Sequence, residues 1–475
     1  MAVDTSTETG SKYRSALRVR DLRTLVLAFL TDGAATWSYN VVLVAYVFGR
    51  THSAAWVTAL VTVRWIVGMT LGGYAGVLAD RYDRRRVLIA SAAAGTVAAL
   101  VIALVVAVDA PLVLLLITTG VLTAVCTPVR PASGALIPEV VDESDLIAAN
   151  SVFALLESLI VVIGPGVGGL LLLTGDPVYG ILLNAASYLV ALLLYLSLQV
   201  RSRGSAEPGG NVLAQWSAGV VTLVQHRKAF VLTMFLVIDS AAINAANVLM
   251  PALSDHLHGG STGYSLLLAA NAFGGVVAAA LANKLAASPR VAAIIGGSIV
   301  LQCIPLWVCV YVGSVPPGLG LQLISGIGMV IVDVLAFTAL QRDLPRDVLG
   351  RVLGSVDVLL LGSSILAAFA ASALYSHFGL GWALALIGLG FPALSLLGLP
   401  SLRGLDAEQS QRLASIRART GALERLDLFS GAPRAVLERL AENAVAETAP
   451  AGTVLITQGD PADALWVLTE GELSV

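Results

Sequence analysis

The sequence predicts an all-α polytopic membrane protein, and this prediction rests on composition and on the length of the apolar segments. Of the 475 residues, 57% are hydrophobic and only 12% are charged, whereas a soluble domain carries about a quarter charged residues. The apolar segments are about 20 residues or longer, and apolar and polar residues do not alternate within them. This pattern favours membrane-spanning helices over the strands of a barrel.

Twelve apolar segments are long enough to cross a bilayer as helices. They lie near residues 23–48, 54–79, 87–108, 112–136, 147–173, 178–199, 229–253, 262–285, 291–312, 317–340, 348–375 and 380–398. Basic residues concentrate in every second loop, for example at Arg81, Arg201 and Arg342, and the positive-inside rule makes these loops cytoplasmic. We therefore expect a multi-pass protein of the plasma membrane, the inner membrane of a bacterium, with both termini in the cytoplasm.

The sequence further predicts two six-span halves and a polar tail. The regions are an N-terminal half (1–200), a cytoplasmic linker with a surface helix (201–227), a C-terminal half (228–400) and a partial α+β cytoplasmic tail (401–475). The halves look like a repeat, because Asn150-Ser151 is echoed by Gly354-Ser355 about 200 residues later. Repeated halves with a substrate site between them are typical of secondary transporters.

A charged turn, Gly76–Arg86, follows the second span. It resembles the loop between helices 2 and 3 of the major facilitator superfamily, with Asp83 standing where that family often has glycine. The resemblance implies a conformational latch, because an acid near a helix end can bind a neighbouring helix terminus or an arginine. The predicted latch residues are Gly76, Asp80, Arg81, Arg85 and Arg351.

Three further stretches resemble the enterobactin-exporter-like and multidrug branch of that superfamily. They are Pro128–Pro131, Gly164–Gly169 and Gly350–Val352. The resemblance extends over roughly residues 15–400 and implies two halves that rock about a central cavity. The fifth-span motif consists of Gly164, Pro165, Gly168 and Gly169. The family associates such a motif with exporters, so the resemblance favours efflux.

The tail resembles the opening of a cyclic-nucleotide-binding β-roll. Residues 423–430 and 434–443 suggest short helices, and residues 452–458 and 464–468 suggest strands around the turn Gly459-Asp460. In that family, the residues that bind the cyclic phosphate come later in the domain, at positions that would lie beyond Val475. We therefore expect no cyclic-nucleotide binding by these residues.

Ionisable side chains inside the spans are the first functional candidates, because a charge in the bilayer is costly. They are Asp32, Arg64, Glu157, Asp239, Asp333 and Asp357. Asp32, Glu157, Asp239 and Asp357 each lie about ten residues past a cytoplasmic span start, or about halfway across the core. Burial disfavours the ionised form of a carboxyl group, so each acid could carry a proton. A structural ion pair or interhelical hydrogen bond is an equally good interpretation.

Arg64 is the one mid-span cation, and we expect it to pair with Asp32 on the neighbouring span. The resemblance implies that spans one, four, seven and ten line the cavity, which places Asp32, Asp239 and Asp333 on it. Further cavity candidates are Trp37, Asn40, Asn244 and Asn247. Aromatic and acidic groups together suit lipophilic cations, while helix packing and helix–helix hydrogen bonds are the structural alternatives.

The remaining features limit the function classes. The net charge of −3 argues against a nucleic-acid partner, and the three cysteines fit no metal site. We find no P-loop and no hydrolytic or redox constellation, so we expect no enzyme, no cofactor and no metal. The prediction is a secondary active transporter that exports a small amphipathic molecule in exchange for protons. A cyclic-nucleotide-regulated sensor and a lysophospholipid or lipid flippase of the same fold stay open as alternatives.

Overall fold

The chain is almost entirely helical in a computed structural model. The structure describes residues 19–142, 145–200, 220–286, 288–344 and 346–429, together with short stretches between 436 and 472. The linker prediction at 201–219 lies outside the described residues, and residues 220–225 of the predicted surface helix are helical.

Seven helices form the first part of the bundle. They are α1 (Arg20–Thr51), α2 (Ala54–Arg81), α3 (Arg84–Ala107), α4 (Leu112–Cys126), α5 (Val129–Val140), α6 (Leu146–Leu172) and α7 (Val178–Ser197). The short helices α4 and α5 together form one apolar stretch, Leu112–Val140, which is long enough to be a single span.

Seven more helices follow the linker. They are α8 (Arg227–His256), α9 (Gly260–Ala286), α10 (Val291–Val308), α11 (Val315–Asp343), α12 (Arg346–Ala385), α13 (Phe391–Gly398) and α14 (Arg403–Glu424). Gly379 has φ 80° and ψ 174°, so the helical direction breaks inside α12. A π-helical turn, Leu386–Gly390, joins α12 to α13.

Nine helical stretches of the described chain are long and apolar enough to cross a membrane. One of them, Val352–Leu402, has 51 residues, about 75 Å of helix against a core of about 30 Å. Two further helices, α1 and α6, have 32 and 27 residues, and the first carries Asp21, Arg23 and Asp32. These features are compatible with twelve spans, and the number twelve stays a prediction.

The helix packing of the first part recurs in the second. Helix α1 packs on α6 and α2 on α4, just as α8 packs on α12 and α9 on α11. The two sets meet where α6 packs against α9 and where α2 packs against α12. The recurrence fits a duplicated six-helix unit, while the boundaries of the predicted domains stay a prediction.

A matched pair of helix-end contacts shows the same recurrence at the level of side chains. Arg50, at the end of α1, donates to the carbonyl oxygens of Ala110 at 2.8 Å and Asp109 at 2.9 Å, just after α3. His256, at the end of α8, contacts the carbonyl oxygen of Val310 at 2.9 Å, just after α10. Both side chains satisfy carbonyl groups that a helix end leaves without partners.

Glycines let α9 and α11 approach closely. A Cβ atom on Gly326 would overlap the carbonyl oxygen of Asn271, and one on Gly274 would overlap that of Leu323. Small residues at such crossings are typical of membrane helix pairs, since they bring the backbones into contact.

The tail differs from the prediction. Residues 403–424 form helix α14, which the sequence analysis did not predict, and Asp406 Oδ1 accepts a hydrogen bond from the backbone nitrogen of Ala292 at 2.8 Å. This contact caps the first turn of α10. Residues 427–429, 436–437 and 440–441 are helical, in agreement with the predicted short helices.

The predicted strands of the tail are not present in the described residues. Residues 452–455 and 466–468 have no strand conformation, and the rest of both segments lies outside the described residues. Alternating apolar residues predicted strands there, but a strand also requires a hydrogen-bonded partner, which a single segment cannot specify.

We expect Gly326→Ala to destabilise the protein by roughly 1–3 kcal/mol, because the new methyl group would meet a backbone oxygen that cannot move aside. Thermal unfolding in detergent should show a clearly lower melting temperature. The matched control is Gly320→Ala in the same helix, where no heavy atom lies within 4 Å. Equal melting temperatures for the two variants would contradict the close crossing of α9 and α11.

Candidate functional site

A polar cluster lies between α1 and α7. Thr36 Oγ1 lies 3.5 Å from Asp32 Oδ1 and 3.3 Å from Asn184 Oδ1. The Tyr188 hydroxyl group lies 3.5 Å from the same threonine oxygen. The Asn184 Nδ2 atom is buried without a hydrogen-bond partner. Asp32 is therefore connected to α7 through a threonine, and the cluster retains a free donor.

The predicted Asp32–Arg64 ion pair is wrong. No described acid lies within 4.0 Å of Arg64, and its guanidinium carbon lies 6.0 Å from the ring centroid of Tyr39. Tyr39 follows Asp32 by seven residues, about 10 Å along a helix, so Arg64 meets α1 two turns away from the acid. Arg64 is half-buried, and the aromatic face provides a partial substitute for a carboxylate.

A second acidic region lies in the other half, between α8 and α11. A cavity of about 190 Å³ is lined by Asp239 and Ser240 of α8 and by Asp333 of α11. Asp239 is only 3% exposed, and its Oδ1 atom has no hydrogen-bond partner. The side chain of Gln302, on α10, lies beside the same carboxyl group. Asp333 is exposed on the cavity wall.

The two cavity candidates of α8, Asn244 and Asn247, lie in different environments. Asn244 Nδ2 donates to Ser364 Oγ at 2.8 Å and to the carbonyl oxygen of Ser240 at 2.9 Å. Since Ser364 belongs to α12, Asn244 forms a hydrogen bond between two helices, which is the structural alternative to a role in the cavity. Asn247 is exposed and lines a smaller adjoining cavity that also includes Asn271 and Gln302.

Two of the predicted mid-span acids are exposed and associated with an arginine. Glu157 Oε1 lies 2.6 Å from Arg130 Nη2, with side chains 51% and 80% exposed. Asp357 is exposed as well, and it interacts electrostatically with Arg130. Glu157 of α6 and Asp357 of α12 each lie about three turns inside their helices. Both acids are exposed there, and Arg130 lies near an acid of each half.

The fifth-span glycines are packing positions. A Cβ atom on Gly168 would lie 2.8 Å from the carbonyl oxygen of Ser38, and one on Gly169 would lie 2.6 Å from Ser265 Cβ of α9. Gly164 faces Trp37, and its carbonyl oxygen accepts a hydrogen bond from Ser38 Oγ at 2.8 Å. Pro165 is buried in the same helix, while Trp37 is 41% exposed. The motif thus brings α6 against α1 and, at one glycine, against the other half.

The predicted latch is visible only in part. The side chains of Gly76, Asp80 and Arg351 lie outside the description, and Arg81 is exposed at the end of α2. Arg85 donates to the carbonyl oxygens of Tyr195 at 3.3 Å and Leu196 at 2.7 Å, which close the end of α7. This arginine therefore binds a helix terminus.

Sequence reasoning missed two features of this region. Arg84 forms an ion pair with Glu139, and Asp83 Oδ1 accepts a hydrogen bond from the Arg86 backbone nitrogen at 3.2 Å as the N-cap of α3. An aspartate just before a long apolar run is an N-cap signal that could have identified Asp83. The partner of Arg84 could not be identified, because Glu139 lies on a different helix.

The two halves touch at the end of the bundle where α1 and α8 finish. Thr58 Oγ1 of α2 donates to the carbonyl oxygen of Ala368 at 3.3 Å, and both residues are fully buried. His52 Nδ1 lies 3.7 Å from Asp255 Oδ2 across the same junction. Val41 belongs to one apolar cluster with residues of α8 and α12. The bundle is therefore sealed at this end.

Comparisons with known proteins agree with this architecture. The family model of the Major Facilitator Superfamily matches residues 25–368. An enterobactin exporter EntS of Escherichia coli strain SMS-3-5 is 27% identical over 386 residues, which cover 77% of this chain and 88% of the relative. The protein of the same name from strain O1:K1 / APEC is 27% identical over 318 residues, or 64% of this chain and 73% of the relative.

Solved structures share the fold at low sequence identity. A point mutant of the nucleoside transporter NupG superposes with a TM-score of 0.65 at 13% identity, covering 81% of this chain and 99% of that protein. A bacterial homolog of the human lysosomal transporter Spinster, in an inward-facing and unoccupied conformation, gives 0.59 at 15% identity over 89% and 97% of the two chains. Since the family model covers well over half of the sequence, the protein belongs to the Major Facilitator Superfamily.

Proposed function

We propose that this transporter exports a small amphipathic molecule in exchange for protons, by alternating access of a central cavity. The observation that carries the proposal is the cavity beside Asp239 and Asp333, where one carboxyl group is almost fully buried and the other is exposed. A buried acid that a central cavity can reach is the arrangement that proton carriers require, because burial favours the neutral form and access allows exchange.

The direction of transport rests on similarity. By the positive-inside assignment, the sealed end with Thr58 and Ala368 faces outward, and the end with Arg130 faces the cytoplasm. A transporter that works by alternating access passes through such a state in either direction of transport. The similarity to proteins named enterobactin exporters favours export.

Charges and aromatic groups in the N-terminal half support an amphipathic substrate. Arg64, with Tyr39 beside it, has no acid within 4.0 Å among the described residues. Asp32 lies on the same helix as Tyr39 and Trp37. A molecule with a polar group and an apolar body could satisfy the arginine while its body lies against the rings.

The same proposal includes the topology. Residues 1–200 and 228–400 form the two moving halves, residues 201–227 link them, and both termini are in the cytoplasm of a plasma-membrane protein. The recurrent packing of α1 on α6 and α8 on α12 supports two equivalent units.

We expect Asp333→Asn and Asp32→Asn to abolish substrate-driven proton release, because an amide cannot take up and give back a proton. The measurement is recovery of an acid-interior fluorescence signal in energised inverted vesicles after addition of amphipathic compounds. The matched control is Asp176→Asn, in the loop between α6 and α7, where the carboxylate only accepts from the Val178 backbone nitrogen. Full proton release in both Asp32 and Asp333 variants would remove these residues as carriers.

We expect Gly169→Val to shift the protein away from the state sealed at the Thr58 end, because the new side chain would overlap Ser265 of the other half. Overpacking of this kind costs about 1–3 kcal/mol, so the alkylation rate of a Thr58→Cys reporter should rise roughly tenfold. The reporter is placed in a chain without the three native cysteines and labelled with a membrane-impermeant maleimide.

The control for this variant is Gly166→Val, three residues earlier in the same helix, where no heavy atom lies within 4 Å of the added Cβ. It should leave the labelling rate of Thr58→Cys unchanged. An equal rate in all three proteins would mean that the contact between Gly169 and Ser265 does not hold the halves together.

A further inference from the structure

Two side chains at the adjoining cavities of the C-terminal half each have an oxygen atom without a hydrogen-bond donor: Asp239 lines the larger cavity and Gln302 the smaller one. Asp239 Oδ1 and Gln302 Oε1 are both sealed from solvent without a hydrogen-bond partner. Their side chains are only 3% and 5% exposed. Buried polar atoms are rarely left unpaired, so two adjacent orphan acceptors indicate that something with positive charge or donor capacity belongs beside them.

Both orphans belong to one local arrangement. Gln302 and Asp239 are neighbours, so the two oxygen atoms without partners belong to adjacent side chains. Asp333 is close enough to Asp239 for a direct electrostatic repulsion, and the two acids line the same cavity of about 190 Å³. Asp239, more than nine-tenths buried, presents its carboxyl group to that space.

The protein does not compensate these charges itself. Among the described residues, no arginine, lysine or histidine nitrogen lies within 4.0 Å of Asp239 or Asp333. Ser240 and Asn244 follow Asp239 on α8, and both form hydrogen bonds to α12. An uncompensated pair of acids at this depth would be strongly unfavourable.

We propose that this cavity is a binding site for a small hard monovalent cation of the size of Na⁺, held by Asp239, Gln302 and Asp333. Carboxylate and amide oxygens are the ligands that hard cations prefer. The cavity has room for an ion with several waters, since a water occupies about 30 Å³. A divalent ion fits less well, because the described chain has no cluster of three or more acidic, histidine or cysteine ligands.

The inference rests on the proposed transport function and deepens it, because the ion would bind to α8, α10 and α11 of one moving half. A monovalent ion at this site would offset one of the two negative charges of Asp239 and Asp333 and so weaken the repulsion between them. The binding test below needs no transport, so its failure is distinguishable from a failure of proton exchange.

The experiment measures thermal unfolding of the purified full chain in detergent at pH 8, in NaCl and in choline chloride of equal ionic strength. We expect Na⁺ to raise the melting temperature by about 2 °C or more, because a ligand that binds only the folded state stabilises it. K⁺ and choline should give a smaller shift. Asp239→Asn and Gln302→Met should each abolish the Na⁺-specific shift, since each removes an oxygen ligand or its charge.

Two further variants keep the test decisive. Asp333→Asn changes an exposed side chain and so should fold, yet it should weaken the Na⁺ shift, which direct binding of ²²Na⁺ also measures. Asp32→Asn, in the other half, should retain the full shift, which separates this site from the proton carrier proposed there. Equal melting temperatures in Na⁺ and choline for the unmodified chain, or an undiminished shift in Asp239→Asn, would overturn the proposal.

Discussion

The bilayer interior offers no water to solvate a charge or pair with a backbone group, and the rest of the structure follows from that constraint. Side chains bind the backbone groups at helix ends: Arg85 donates to a carbonyl oxygen at the end of α7, and Asp406 accepts from a backbone nitrogen at the start of α10. Polar residues inside spans pair with each other, as Asn244 does with Ser364. What the protein leaves unpaired is therefore informative, and two such groups, on Asp239 and Gln302, belong to side chains that line cavities.

The helical membrane architecture could be predicted from the sequence because it depends on local quantities. The length of an apolar run belongs to one segment, so the long apolar helices could be predicted. Helix α14 and the break at Gly379 were missed, because a tail helix of mixed polarity and a turn inside an apolar run leave no such local pattern. The tail strands were predicted from alternation alone, which does not supply a pairing partner.

The site was predictable by residue type and much less by partner. Mid-span acids are visible in a sequence, and Asp239 and Asp333 do line one cavity. The rotation of each helix against its neighbours is not visible, which is why Arg64 meets Tyr39 and not Asp32. Neutral amides also escaped notice, because Gln302 carries no charge that would make it conspicuous in an apolar span. Gln302 is relevant to the site because it lies beside Asp239.

The cap that Asp406 places on α10 has a mechanical consequence. Leu402, just before α14, is fully buried in the core formed by α8, α10 and α11. The tail helix is therefore attached to these helices at two points, through Leu402 and through the hydrogen bond of Asp406. In the proposed alternating-access cycle, α14 would move with the C-terminal half as a rigid body. The position of any group attached to α14 would then report the conformational state of the transporter.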